Sequence, residues 1–112
     1  TVPQTPDTLS ISPDQKMEVK CILEGGSSSS YMYWYRQYPG AGPQIMFSSV
    51  GEGNVQPDNT MAGLKAERPN LSEFYLKSSG SVANSTAVYF CAWSMGGNAE
   101  AYFGKGTKLV VL

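Results

Sequence analysis

Apolar and polar residues alternate along most of this chain with a period of two, and no segment shows the 3.6-residue period of a helix. The clearest case lies at residues 17–24, where Met17, Val19, Cys21 and Leu23 share one side of the alternation. Charged residues fill most of the other side. A strand of this kind places one face on a core and the other in water. The alternation therefore predicts half-buried sheets.

Residues that favour turns divide the rest of the chain into further predicted strands. Strands are predicted at 31–37, 44–50, 74–77, 86–93 and 102–112, and a Gly-x-Gly bulge opens the last one. Connectors rich in glycine, serine and proline are predicted at 25–30, 39–43, 51–54, 78–86 and 94–100. The segment 56–68 has the weakest pattern and is predicted to hold a short edge strand. Short strands with frequent turns indicate an all-β fold, a sandwich of two antiparallel sheets.

The composition limits the fold to one small domain, spanning residues 1–112. The hydrophobic fraction of 41% is sufficient for a core without a cofactor. Eight basic side chains oppose nine acidic ones, which gives a net charge of −1. This balance, without a basic stripe or an acidic block, argues against binding to nucleic acid and against direct contact with a membrane.

The two cysteines, Cys21 and Cys91, lie 70 residues apart, each within a predicted strand. Two cysteines alone fit either free thiols in the cytosol or one bridge in a secreted protein. The spacing excludes a Cys-x-x-Cys redox motif and offers no zinc geometry, so it favours a structural disulfide. Closing a loop of this length would stabilise the fold by roughly 4 kcal/mol. An oxidising compartment follows.

Two sequons for N-linked glycans bear on the location of the protein. Asn70 begins the triplet Asn-Leu-Ser, and Asn84 begins the triplet Asn-Ser-Thr. Such triplets also arise by chance, so each asparagine is only a candidate acceptor. Together with the disulfide, they favour an extracellular protein.

The chain lacks the side chains that most enzymes need. It contains no histidine, which excludes Ser-His-Asp and Cys-His nucleophiles and imidazole-based metal sites. Both cysteines are assigned to the bridge, and no glycine-rich loop opens a helix to hold phosphate. Glu52 and Glu100 lie on predicted loops, without an evident apolar pocket that would suit them to acid–base chemistry. We therefore expect no enzyme, no cofactor and no metal.

Four features together form a specific pattern. They are Cys21, Trp34 thirteen residues later, the run Tyr89-Phe90-Cys91 and the run Phe103-Gly104-Lys105-Gly106. In these features the chain resembles an immunoglobulin variable domain, from Pro3 to Leu112. The resemblance implies a V-type β-sandwich with one inter-sheet disulfide, and a core in which Trp34 packs on that bridge. It also implies a tyrosine corner, in which the Tyr89 hydroxyl bonds to the backbone just upstream.

Finer motifs are similar to those of T-cell receptor beta chains. Trp34-Tyr35-Arg36-Gln37 is typical of T-cell receptors, Cys91-Ala92-Trp93-Ser94 resembles the start of a beta-chain third loop, and residues 98–112 resemble a beta joining segment. The resemblance implies antigen recognition on the extracellular side of the plasma membrane, with the membrane anchor outside this sequence. A gamma chain or an antibody light chain, binding antigen without MHC, is the closer alternative. A lone V-type adhesion domain is the other, and the joining segment argues against it.

One position departs from the pattern of many variable domains. An aspartate six residues before the second cysteine commonly pairs with an arginine, and Ser85 stands at that position here. The partner of Arg68 is therefore expected to be Glu67, Glu73 or solvent. Since beta chains often lack this aspartate, the departure favours a beta chain.

The resemblance implies that one face of the sandwich pairs with an alpha-chain variable domain. The predicted pairing face comprises Tyr35, Gln37, Pro43, Ile45, Phe90 and Phe103. Gln37 would meet a glutamine of the partner across a pseudo-twofold axis. The simpler interpretation is a solvated sheet with scattered aromatic residues, but monomers seldom expose an apolar patch of this size. The isolated domain is expected to form a weak homodimer through the same face.

The resemblance also implies that three loops at one end bind a peptide held by an MHC molecule. The candidate ligand residues are Ser28, Ser29 and Tyr31 in the first loop, Val50, Glu52 and Asn54 in the second, and Trp93, Met95, Gly96, Gly97, Asn98 and Glu100 in the third. Serine, glycine and asparagine supply adaptable hydrogen bonds, and aromatic residues supply rigid contact area. A solvated connector is the alternative for the first loop, and inward packing is the alternative for Trp93. The third loop is expected to dominate specificity, and its glycines permit positive φ angles.

Overall fold

The structure, a computed structural model, describes residues 3–23, 31–51, 53–58, 63–96 and 100–112. Every regular element within these ranges is a β-strand, so the all-β prediction is confirmed. The strands are β1 (Gln4–Thr5), β2 (Thr8–Ile11), β3 (Glu18–Ile22), β4 (Tyr31–Gln37), β5 (Gln44–Gly51), β6 (Asn54–Pro57), β7 (Leu64–Asn70), β8 (Glu73–Ser78), β9 (Ala87–Ser94), β10 (Ala101–Phe103) and β11 (Thr107–Val111).

The strands form two sheets joined by a disulfide. The smaller sheet has the order β1-β3-β8-β7, and the larger has the order β2-β11-β9-β4-β5-β6, with β10 also paired to β9. Strands β2 and β11 run parallel, and the other paired strands run antiparallel. The disulfide joins Cys21 of β3 to Cys91 of β9, with their Cα atoms 6.2 Å apart. The predicted sandwich with one inter-sheet disulfide is therefore confirmed.

Inward-facing residues of both sheets make a core around this disulfide. Trp34 is fully buried and lies directly opposite Cys91 in the β4–β9 pair. Its ring centroid is 6.2 Å from that of Phe74, which belongs to the smaller sheet. Burying one large apolar side chain stabilises a fold by about 1.5–3 kcal/mol. The alternation that predicted β3 and β4 therefore also identified the residues that stabilise the sandwich.

The tyrosine corner forms at the entry to β9. The Tyr89 hydroxyl donates a hydrogen bond of 2.6 Å to the Ser85 carbonyl, and both residues are fully buried. Burial raises the pKa of Tyr89 to about 12, so this hydroxyl keeps its proton at neutral pH. The contact ties the connector before β9 to the edge of the core.

The strands at both ends of the chain differ from the sequence prediction. No strand is predicted before residue 17, yet β1 and β2 lie there, with two and four residues. Runs this short are too brief to show a period of two. The segment 56–68 contains parts of β6 and β7, which belong to different sheets, where one edge strand was expected. The strand predicted at 102–112 is divided into β10 and β11.

Gly106 accounts for the division of that last strand. Its φ angle is 97°, and a Cβ atom at this position would come within 2.8 Å of the Phe90 ring. A residue with a side chain is therefore strained here for two separate reasons. The chain leaves the sheet at residues 104–106, although the Gly104 N–H still donates to the Cys91 carbonyl at 2.7 Å.

Gln4 bonds to backbone groups of β9 beside this break. Its side-chain nitrogen donates to the Tyr89 carbonyl at 2.6 Å and to the Thr107 hydroxyl at 2.9 Å, and its side-chain oxygen accepts from the Cys91 N–H at 3.1 Å. A strand of the smaller sheet thus satisfies backbone groups of the larger one. Leaving such a buried group without a partner costs about 1–3 kcal/mol.

Arg68 is buried, which rules out solvent, one of its three expected partners. Its exposed fraction is 1%, and its guanidinium donates at 2.9 Å to the carbonyls of Ser49 and Leu71. Desolvation by burial lowers the pKa of Arg68, yet an arginine remains charged at neutral pH. Glu67 instead lies 3.0 Å from the Nζ atom of Lys77. Carbonyls of the larger sheet and of the β7–β8 turn thus take hydrogen bonds from this arginine.

Candidate functional site

Aromatic side chains cover the outward face of the larger sheet. In β4 the fully buried Trp34 points into the sandwich, so its neighbours Tyr33 and Tyr35 point outward. Tyr35 lies opposite Ile45 on β5 and opposite Phe90 on β9. These residues make one row across the sheet. The structure therefore brings together Tyr35, Ile45 and Phe90, three residues of the predicted pairing face.

Phe103 joins this row from β10. Its ring centroid lies 5.1 Å from that of Tyr35, and half of its surface, 50%, is exposed. Tyr33 lies on the other side, with its ring centroid 6.2 Å from that of Tyr35. Burial, and then the proximity of Tyr33 and Asp58, raises the pKa of Tyr35. We refer to Tyr33, Tyr35, Ile45, Phe90 and Phe103 as the aromatic face. Tyr33 is absent from the sequence prediction, although the alternation that identified Tyr35 also points to it.

Gln37 and Pro43 lie at one end of the aromatic face. Gln37 is the last residue of β4, and Pro43 directly precedes β5. The side-chain nitrogen of Gln37 donates to the carbonyl of Ala41 at 2.7 Å, within the turn that joins the two strands. The contact fixes the orientation of the Gln37 amide. Its pairing with a glutamine of another chain stays a prediction.

The strand ends that flank the connectors predicted to bind ligand lie together at the opposite end of the sandwich. Met32, near the start of β4, pairs with Ser49 near the end of β5 and with Trp93 near the end of β9. The start of β4 and the ends of β5 and β9 therefore lie at the same edge of the sheet. Some of the predicted ligand residues lie outside the described residues: Ser28, Ser29, Glu52, Gly97 and Asn98.

Strands β5 and β9 each end one residue later than the sequence predicted, and β6 begins at Asn54, within a predicted turn. Four candidate ligand residues belong to strands: Tyr31 in β4, Val50 in β5, Asn54 in β6 and Trp93 in β9. Their regular backbone limits how far they can adapt to a ligand. Val50 is 41% exposed and Met95 is 57% exposed, and Glu100 is exposed as well. These three remain suitable contact residues because their side chains are accessible.

Trp93 packs inward, which was the alternative interpretation of the sequence. It is partly buried against the core, and its ring stacks on Tyr102 of β10 at a centroid distance of 5.0 Å and an angle of 27°. The Tyr102 hydroxyl lies 3.4 Å from the Glu100 carboxylate. The stacked pair joins β9 to β10 where the third loop leaves the sheet. Trp93 therefore shapes the base of this loop.

Gly96 does not use the backbone freedom that was expected of it. Within the described residues, positive φ angles occur at Gly40, Gly53, Gly63, Gly106 and Asn84. The Gly96 carbonyl instead accepts a hydrogen bond of 2.9 Å from the Ser94 hydroxyl. A Cβ atom on Gly96 would meet nothing within 4 Å, so neither backbone angle nor space requires glycine here. The positive φ angle that glycine permits at this position is not adopted in the structure.

The two sequons differ in their surroundings. Asn84 is exposed on the β8–β9 connector, with a φ angle of 68°. Asn70, the last residue of β7 before the β7–β8 turn, is partly buried, and its side-chain nitrogen donates to the Glu73 carboxylate at 2.6 Å. This turn lies beside the end of β3, because the Leu23 N–H donates to the Ser72 carbonyl at 2.6 Å. Glycan attachment at either asparagine stays a prediction.

The outward face of the smaller sheet carries charges instead of exposed aromatic clusters. The Nζ atom of Lys77 lies 3.6 Å from a Glu18 oxygen and 3.0 Å from a Glu67 oxygen, and Lys65 lies 3.7 Å from Glu67. We refer to Glu18, Lys77, Glu67 and Lys65 as the charged ladder, which crosses β3, β8 and β7. The hydrogen bond from Lys77 is the main reason that the pKa of Glu67 is lowered.

Two further observations concern the part of the chain that the structure describes. No three histidine, cysteine, aspartate or glutamate side chains lie close enough there to hold a metal ion. No helix among these residues has the length and hydropathy needed to cross a membrane.

A family model of the immunoglobulin V-set domain matches residues 4–112, so the chain belongs to the immunoglobulin V-set family. A T-cell receptor beta chain V region of Mus musculus, LB2, is 35% identical over 113 residues, which cover 99% of this chain and 82% of the relative. T cell receptor beta variable 30 of Homo sapiens is 36% identical over 94 residues, or 84% of this chain and 83% of the relative.

Relatives outside the beta chains also match. T cell receptor alpha chain MC.7.G5 of Homo sapiens is 30% identical, over 99% of this chain and 40% of the relative. A crystal structure of a chicken T-cell receptor superimposes with a TM-score of 0.90 and 34% identity, over all of this chain. This chain spans 50% of the length of that receptor chain. The relatives are extracellular receptor domains and not enzymes, and the chain is a receptor variable domain of the same kind.

Proposed function

We propose that this chain is the variable domain of a T-cell receptor beta chain, which pairs with an alpha-chain variable domain and binds peptide–MHC through three loops. The aromatic face is the observation that carries the proposal. It places half-exposed Phe103 against Tyr35 in the middle of a regular sheet. Interface cores are rich in tyrosine and phenylalanine and poor in charge, as this face is. A second domain that covered it would remove these side chains from water.

The position of the aromatic face relative to the loops supports recognition by two domains together. Tyr33 on this face is one residue away from Met32, which pairs with the ends of both β5 and β9. A partner domain on the aromatic face would therefore place its own loops beside those of this chain. Both sets of loops would then face the same ligand.

The accessible residues at this end fit adaptable recognition of a peptide. Met95 offers a flexible apolar contact, and Glu100 offers one negative charge. Segment 97–99, with Gly97 and Asn98, lies between them in the sequence. We expect alanine substitution of Met95 or Glu100 to weaken ligand binding more than substitution of Ser28, Ser29 or Glu52. Equal effects at all positions would argue against a dominant third loop.

Co-expression with candidate alpha chains tests the pairing, with mass measured by light scattering. We expect Phe103→Asp to abolish the heterodimer, because the charge would be buried without a partner. Tyr75→Asp is the matched control, since Tyr75 is a partly buried aromatic residue on the outward face of the smaller sheet, near the lysines Lys20 and Lys77. Loss of pairing in both variants, or in neither, would contradict the proposal. Staining of cells that express the pair with peptide–MHC multimers then tests the ligand.

The match to an alpha chain supplies the competing assignment. The same experiment distinguishes it, because an alpha-chain domain would assemble with beta chains and not with alpha chains. A gamma chain or an antibody light chain would bind an antigen in the absence of MHC. A V-type adhesion domain would assemble with neither receptor chain.

A further inference from the structure

We propose that Tyr33 and Ser94 are positioning residues that hold the first turn of the third loop through a chain of two hydrogen bonds from the aromatic face. Neither residue belongs to the sequence-predicted ligand or pairing residues. The role of that loop in binding rests on the proposed function, whereas its order in the free chain does not.

The geometry defines which group donates in each of the two hydrogen bonds. The Tyr33 and Ser94 hydroxyl oxygens are 2.7 Å apart, and the Ser94 hydroxyl lies 2.9 Å from the Gly96 carbonyl. A serine hydroxyl has one proton to donate, and the carbonyl can only accept. The Ser94 proton therefore goes to Gly96, and Tyr33 donates its proton to Ser94. Each bond polarises the other, so the two act as a unit.

Burial of Ser94 makes these two hydrogen bonds costly to break. Ser94 is 1% exposed, so water has little access to its hydroxyl when Tyr33 is removed. Without the Tyr33 hydroxyl, the Ser94 oxygen would lose its donor, which is unfavourable for a buried acceptor, and the hydrogen bond from Ser94 to Gly96 would lose the polarisation that strengthens it. Tyr33 lies diagonally across from Ser94, because its direct partner in β9 is Ala92. Tyrosine is long enough to span this diagonal.

The two faces of β9 thus make different contacts at the start of the third loop, an aromatic stack on one face and a hydrogen bond on the other. On the inward side, Trp93 stacks on Tyr102 and closes the base. On the outward side, Ser94 bonds to the carbonyl of Gly96, two residues into the loop. The hydrogen bond on the outward side is connected to the aromatic face through Tyr33, because the Tyr33 ring lies 6.2 Å from that of Tyr35. A domain packed on Tyr35 would therefore restrain the Tyr33 ring, whose hydroxyl holds residues 94–96.

Hydrogen exchange of this chain without any ligand or partner tests the inference. Loss of one buried hydrogen bond changes a local opening equilibrium by about five-fold. We expect Tyr33→Phe and Ser94→Ala each to accelerate exchange of peptides that contain Met95 and Gly96 by about that factor. Exchange of β3 peptides, far from the loop, should stay unchanged. Tyr35→Phe is the matched control, because it removes a hydroxyl from the same face two residues away and should leave the loop unaffected.

The double variant distinguishes two linked hydrogen bonds from a general loss of stability. If the two hydrogen bonds act as a unit, Tyr33→Phe combined with Ser94→Ala should accelerate exchange no more than either single change. Unchanged exchange in Tyr33→Phe, or additive effects in the double variant, would overturn the inference. These readouts need no alpha chain and no MHC. Failure of pairing or of multimer staining would instead overturn the proposed function and leave this result standing.

Discussion

The two outward faces of the sandwich have the same backbone pattern and opposite chemistry. The aromatic face of the larger sheet leaves Phe103 half exposed beside Tyr35. The smaller sheet turns the charged ladder outward, and its one central aromatic residue, Tyr75, lies 5.7 and 5.8 Å from lysine ammonium groups. Long charged side chains are easily hydrated, whereas exposed aromatic rings are not. The inward residues define the fold, and under the proposed function the outward ones determine which sheet meets a partner.

The ladder also protects its sheet from unwanted pairing. Strand β7 is an edge of the smaller sheet, and Lys65 and Glu67 lie on it. Charged side chains on an edge strand discourage another strand from adding to it. The aromatic face has no comparable protection. Under the proposed function, the smaller sheet stays in water and the larger one is covered in the assembled receptor.

The largest expected effect comes from removing the disulfide that joins the two sheets and thereby holds the two faces in one domain. Replacing Cys21 and Cys91 by alanine should lower the free energy of unfolding by about 2–5 kcal/mol, since the bridge closes a long loop and lies in the core. Urea unfolding, followed by tryptophan fluorescence, measures this change. A decrease below about 1 kcal/mol would show that the core holds the sheets together without the bridge.

The next effect tests the core that both faces share. Tyr89→Phe should cost about 1–3 kcal/mol at neutral pH, because the buried Ser85 carbonyl loses its donor. The folded pKa of Tyr89 is about 12, above the ordinary value of 10.0. The protonated Tyr89 hydroxyl therefore contributes fully to the free energy of unfolding below pH 10. This contribution is lost as the pH rises to about 12, a change of roughly 2–3 kcal/mol.

Unfolding midpoints measured from pH 8 to pH 12 test this assignment. The difference in stability between the original chain and Tyr89→Phe should shrink as the pH rises. A difference that stays constant across this range would show that the Tyr89 hydroxyl is not the group that titrates.

A smaller effect concerns the aromatic face alone. The isolated chain should self-associate weakly through it, because a second copy covers the rings in place of an alpha chain. Sedimentation should show a mass that rises with concentration in the original chain and in Tyr75→Asp. Tyr35→Asp should remain a monomer at every concentration. Self-association that persists in Tyr35→Asp would locate the contact elsewhere.

Sequence patterns identified the strands whose alternation is long and the residues that lie within them. β3 and β4 are long enough for a period of two to appear, and they carry Cys21 and Trp34. Individual hydrogen bonds that join distant segments were not predictable, unlike the disulfide. Gln4 bonds to Tyr89, 85 residues along the chain, and nothing in the two-residue strand β1 signals this. The Tyr33–Ser94 contact likewise depends on the register between β4 and β9, which a single sequence does not state.

The charged ladder provides the smallest expected effect and sharpens the contrast between the faces. The pKa of Glu67 is lowered and that of Lys77 is raised, each mainly by their mutual hydrogen bond. The ladder therefore stabilises the fold above the ordinary pKa of glutamate, about 4.3, and below that of lysine, about 10.4. Because these side chains are accessible to solvent, Lys77→Gln should lower the thermal midpoint only slightly at pH 7, and less in high salt. The difference should shrink as the pH falls below about 4, where Glu67 becomes protonated. Calorimetry at several pH values, with Lys108→Gln on the larger sheet as control, measures it. A large decrease at pH 7, or one that does not depend on salt, would mean that the ladder is shielded from solvent and that its face, too, is covered.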